Sequence, residues 1–105
     1  MDPTANLNAE EREAFFAEVS KKYPRLSREQ LEAVIAGHNP FPGKESEKQG
    51  NSDVDQCVAL AKDLYDTAVE LAKEIKNPIG RAVALFLAKF ALVMAKIKCM
   101  DDYGD

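Results

Sequence analysis

The sequence predicts an all-α fold, a four-helix bundle-like domain in which two short N-terminal helices pack on a long antiparallel C-terminal helical hairpin. Three observations predict it. From Ala82 to Ile97 every residue is apolar except Lys89 and Lys96; these lie seven apart and share one narrow helical stripe, so this helix must be wrapped by others. Two earlier stretches carry helix-capping patterns. The third observation is a pair of long helical segments joined through Asn77-Pro78 with almost no loop, and short connections make antiparallel neighbours.

Asn8 is an N-cap with Glu11 at its N3 position, and Ala14, Phe15, Phe16, Val19 and Tyr23 follow at helical spacing. The first helix therefore runs from Ala9 to Lys22, and Pro24 ends it because the residue before a proline is pushed out of the α region. In the second helix Ser27 and Gln30 make a capping box, while Leu26 and Leu31 are placed for a hydrophobic staple. It starts at Arg28, presents Leu31, Val34 and Ile35, and stops at Gly37 in the C′ role. Residues 1–37 are thus a short helical pair within a single domain of 1–105.

Between His38 and Asn51 two prolines, two glycines and mostly polar residues predict a loop. Ser52 or Asp53 then caps a third helix that reaches about Lys76. Its inner sides are expected to carry Val54, Cys57, Val58, Leu60, Ala61, Leu64, Tyr65, Ala68, Val69, Leu71, Ala72 and Ile75. Asn77 and Pro78 cap and open the fourth helix, completing a hairpin over 52–100 about 30 Å long. Residues 101–105 form an acidic tail.

A turn near Asn77 and Pro78 sets Cys57 opposite Cys99, Ala61 opposite Ala95, Ala68 opposite Ala88, and Ala72 opposite Ala84. Alanines along this seam let the two backbones approach closely. Two readings of the cysteines follow. A Cys57–Cys99 disulfide would close a loop of about 43 residues and contribute about 4 kcal/mol in the chain-entropy model; the alternative is two buried free thiols packed as small apolar side chains. Oxidised cysteines would place the protein outside the reducing cytosol, in an extracytoplasmic or secreted setting, and free thiols in the cytoplasm. With the alanines facing the third helix, Val83, Leu87, Phe90, Met94 and Ile97 need cover from the N-terminal pair.

The 105 residues fit one small domain, and 46% hydrophobic with 30% charged residues suits a folded chain. A net charge of −4, with basic residues scattered, argues against nucleic acid. No secretory signal is written at the N-terminus. The sixteen-residue apolar run falls short of the roughly 20 needed to span a bilayer and reads as a core helix. No catalytic constellation emerges: His38 is the only histidine, in a Pro/Gly loop without an identifiable nucleophile. Asp63, Asp66, Glu70 and Glu74 make a solvated stripe that lacks the histidines of a diiron site. No cofactor or metal is expected.

The stretch Leu26-Ser27-Arg28-Glu29-Gln30-Leu31-Glu32-Ala33-Val34-Ile35-Ala36-Gly37 resembles the end of the leader of double-glycine secreted peptide precursors, and Ala9 to Val19 is similar in style to the first helix of the Nif11-type leaders. The resemblance covers about a third of the chain, departs from the commoner first glycine at Ala36, and identifies no family for the chain as a whole. It implies export, with cleavage after Gly37 releasing a bacteriocin- or toxin-like hairpin.

The functional expectation is a non-enzymatic protein-binding module of inhibitor, immunity or secreted-effector type, with a protein partner. The alternative is a lipid- or membrane-active protein that opens to present Phe86, Leu87, Phe90 and Val93 to acyl chains, with Lys89 and Lys96 at the headgroups. An apolar edge of the hairpin is equally suited to a second copy, so a homo-oligomer belongs among the expectations.

Overall fold

The computed structural model describes residues 2–41 and 52–103, the side chains of Ser52 and Tyr103 excepted. Most of the loop expected over 38–51 and the last two residues of the expected acidic tail lie outside the described residues. The described chain is all-helical: α1 (Ala9–Lys22), α2 (Arg28–Ile35), α3 (Ser52–Lys73) and α4 (Pro78–Tyr103).

Both predicted capping boxes form. The Glu11 N–H donates to Asn8 Oδ1 at 2.8 Å while the Asn8 N–H donates to Glu11 Oε1 at 3.1 Å. Ser27 and Gln30 repeat the exchange at 3.2 and 2.8 Å, so four otherwise orphaned N–H groups at two helix starts are satisfied. α2 ends in a Schellman motif: the His38 N–H donates to the Ala33 carbonyl and the Gly37 N–H to that of Val34. Gly37 adopts φ +82°, a conformation that a side chain at Cβ would strain.

α4 is the element on which the others converge. α3 packs along it as an antiparallel hairpin, and α1 and α2 each pack on α4. The N-terminal pair covers α4 rather than lying across both hairpin helices. One core results, with Phe15, Phe16 and Val19 of α1, Leu31, Val34 and Ile35 of α2, and Ala82, Val83 and Phe86 of α4. Aromatic rings knit it together. Phe86 lies edge-on to Phe15 at 5.9 Å, and Tyr23 lies edge-on to Phe90 at 4.9 Å, geometries favoured by the ring quadrupoles.

Two boundaries differ from the sequence expectation. α3 stops at Lys73 instead of about Lys76, because Glu74 and Ile75 donate to the carbonyls of Leu71 and Ala72 in a tightened last turn. Arg81 then reaches back from the first turn of α4, donating through Nε to the Ile75 carbonyl at 2.8 Å and through a terminal nitrogen to that of Lys76 at 3.3 Å. Asn77 caps α4 as expected, its Oδ1 accepting from Ile79 and Gly80. At the other end α4 continues through Tyr103, so Asp101 and Asp102 are helical rather than part of a tail.

Arg28 clips α1 to α2. Its guanidinium lies 3.6 Å from the centre of the Phe16 ring and donates to Glu13 at 3.1 Å. The hydrogen bond from Arg28, then its charge, hold the Glu13 carboxyl below its ordinary value. A carboxyl depressed by folding contributes stability above its unfolded pKa and loses it as the pH falls through the folded one. In Arg28→Gln, the Glu13 titration midpoint followed by side-chain NMR is expected to rise to the ordinary carboxylate range. An unchanged midpoint would show that the contact does not persist in solution.

Candidate functional site

The two cysteines are bonded to each other. Cys57 and Cys99 form a disulfide with Cα atoms 5.7 Å apart, within the range that such a bond requires. It ties the start of α3 to the last turns of α4 at the end of the hairpin opposite the turn. The hairpin is therefore closed covalently at one end and by the Asn77-Pro78 connection at the other.

Between these closures the small residues meet. Ala61, Ala68, Ala88 and Ala95 line one apolar groove along the junction of α3 and α4, together with Leu64, Tyr65, Ala91 and Leu92. Ala72 is buried and Ala84 half-buried nearer the turn. Because alanines occupy the junction, the larger side chains beside them are displaced outward, and this corrects the expected inner face of α3. Leu60, Leu64 and Leu71 are 63%, 67% and 62% exposed; Ile75 is exposed as well. At 100° per residue Leu60, Leu64 and Leu71 fall within one narrow arc, while Ile75 lies past the end of α3 in the turn. The leucine arc lies directly beside the alanine arc, and the carboxylates Asp63, Asp66 and Glu70 lie beyond its other edge. Met94 and Ala91 are the exposed apolar residues of α4. Three apart, they share a face, and Ala91 shares the groove with Leu64. The hairpin thus has two unlike faces: one where α4 is covered by α1 and α2, and one where leucines meet solvent.

The residues expected to meet lipid when the bundle opens are covered in this closed arrangement. Phe86 and Val93 are buried, and Leu87 and Phe90 are half-buried against the core. Phe86 is shielded because α1 and α2 sit on that side of α4. Lys89, expected at lipid headgroups, donates from Nζ to the Ile35 carbonyl at 2.6 Å, placing a cation at the negative end of α2. Met94 and Ile97, expected under the N-terminal pair, are exposed and half-buried respectively. The resemblance to a peptide leader meets the same packing. Removal of 1–37 would strip α1 and α2 from Phe86, Val83 and Ala82, and Gly37, at the implied cleavage point, serves as the helix-ending glycine of α2.

His38 and the carboxylates Asp63, Asp66, Glu70 and Glu74 are exposed. Among the described residues no group of three or more His, Cys, Asp and Glu side chains is arranged to hold a metal ion. No helix among them is long and apolar enough to cross a membrane. Sequence reasoning missed the leucine face; the available signal was the spacing of Leu60, Leu64 and Leu71 by four and seven residues, which keeps them on one helical line. No family model, curated protein or solved structure matches this chain.

Proposed function

We propose that this protein is a non-enzymatic protein-binding module, of inhibitor, immunity or effector type, that docks through the leucine face of its disulfide-closed hairpin. The observation that carries this reading is the exposure of Leu60, Leu64 and Leu71 at more than 60% each along one line of α3. Scattered surface leucines are ordinary, but three on one helical line beside an apolar groove and bordered by carboxylates suit a contact surface. A helix pair held by a covalent bond presents that stripe with little freedom left to lose on binding, which favours affinity. The disulfide is also the reason to place its work in an oxidising compartment.

The test compares wild-type protein with Leu64→Glu, both tagged and incubated with the extracytoplasmic fraction of the native source, followed by cross-linking and mass spectrometry. Leu64 is exposed, so the charge leaves the fold intact, as unchanged far-UV circular dichroism will verify. Stoichiometric retention of a protein by the wild type and its loss from Leu64→Glu is expected, whether that protein is a foreign chain or an untagged copy of this one. Equal retention by both would reject the leucine face as the docking surface. Co-sedimentation of the wild type with anionic phosphatidylglycerol vesicles, abolished by the same substitution, would replace the reading with lipid binding.

A further inference from the structure

The two sulfurs of the Cys57–Cys99 bond are not equally covered. Cys99 is 2% exposed, whereas Cys57 is half-buried. Helical spacing accounts for the difference. Cys57 precedes Ala61 by four residues, and Leu60 and Leu64 by three and seven, which sets it on the border between the alanine arc of α3 and the exposed leucine line. Cys99 follows Ala88, Leu92 and Ala95 by eleven, seven and four residues. Those three line the junction with α3, so Cys99 lies on the stripe of α4 that turns inward. The helix continues past it to Tyr103.

Thiol–disulfide exchange begins when a thiolate reaches one of the two sulfurs, so access decides where it starts. We propose that Cys57 is a site of reversible S-thiolation by low-molecular-weight thiols, with Cys99 as the resolving thiol. The incoming thiolate bonds to Cys57 Sγ as the Cys57–Cys99 bond breaks. The electron pair of that bond leaves on Cys99 Sγ, which takes up the proton that the incoming thiol gave to solvent. One disulfide replaces another, and the step needs no further oxidant or reductant. The alanine seam keeps α3 and α4 together, so Cys99 stays beside Cys57 and returns to expel the added thiol and close the hairpin again. One effect acts in the opposite sense. Charge is disfavoured on a buried sulfur, which makes Cys99 a poor leaving group and slows exchange at Cys57. It opens no route to Cys99, however, because attack there requires the last turns of α4 to part from α3, whereas Cys57 is met from the solvent side. Access therefore sets the partition between the two.

The experiment places the full oxidised chain, without denaturant, in a mixture of 2-mercaptoethanol and its disulfide. Exchange is stopped at intervals with acid and N-ethylmaleimide, and peptic digestion at low pH with mass spectrometry locates the added group and the alkylated cysteine. The first product is expected to carry the added thiol on Cys57 and the maleimide on Cys99, in about tenfold excess over the converse. The variants Cys99→Ala and Cys57→Ala remove the resolving step. With helicity verified by far-UV circular dichroism, the remaining Cys57 thiol is expected to react with 2-hydroxyethyl disulfide about tenfold faster than the remaining Cys99 thiol. Should either variant lose helicity, the wild-type product map decides alone. The added group on Cys99, an even distribution between the two cysteines, or a mixed disulfide seen only in denaturant overturns the proposal, as do equal rates in the two folded variants.

Discussion

Phe86→Ala is expected to lower the stability of the protein by about 3–5 kcal/mol. The Phe86 side chain is fully buried, and its ring meets those of Phe15, Tyr23 and Phe90 at centroid distances of 5.9, 6.4 and 6.1 Å. Truncation removes both the transfer free energy of the ring and these aromatic contacts, and leaves a cavity where three helices converge. The loss should be uneven along the chain. α1 and α2 are held chiefly on α4, whereas α3 is additionally bonded to α4 through Cys57 and Cys99. Native-state hydrogen exchange should therefore show protection falling first at Phe15, Val19, Leu31 and Val34, with the hairpin amides retaining theirs longer. Phe86→Leu keeps most of the volume and should cost less than half as much. A loss below about 1 kcal/mol for the alanine variant would mean that the core collapses around the site, contrary to the close packing of its rings.

The helix starts were legible because their signals are local. Asn8 with Glu11 and Ser27 with Gln30 satisfy backbone donors three residues away, and Gly37 supplies a positive φ at its own position; no knowledge of the remaining chain is needed. The cysteine pairing was legible because a nearly loopless turn at Asn77-Pro78 propagates a register along rigid helices. Faces were harder to read. On α3 the alanines and the leucines occupy adjacent apolar arcs, and hydropathy does not say which arc turns to the neighbour; the smaller side chains took the seam, and Leu60, Leu64 and Leu71 were left outside. α4 posed the opposite difficulty. A helix apolar on nearly every side has no polar face to mark its exterior, so hydropathy alone does not single out Phe86 as the centre of the core. Arg81 and Lys89 act on carbonyls presented by other segments, Ile75 and Lys76 before the turn and Ile35 on α2, and no pattern around either residue announces this.

Removing the disulfide, by reduction or in the double variant Cys57→Ala/Cys99→Ala, is expected to destabilise the protein by about 4 kcal/mol. The cysteines are 42 positions apart, and in the chain-entropy model a loop of that length leaves the unfolded chain with much more freedom once it is cut. The expected fall in melting temperature is about 20 °C for a chain of this size. Since the effect lies in the denatured state, the folded far-UV spectrum should change little at low temperature, while the dependence of stability on denaturant should steepen as the unlinked chain unfolds to a more expanded ensemble. The double variant separates this from lost packing. Cys99 is buried, so replacing it with alanine removes one sulfur atom from the end of the hairpin, a smaller contribution than the crosslink. If reduction costs less than about 1 kcal/mol and leaves that slope unchanged, the open end of the hairpin is held by packing and the covalent closure is incidental to the fold. If the loss matches expectation, the reduced chain still presents the leucine face at low temperature, but the range of temperature and denaturant over which that surface exists narrows by the amount the bond contributes.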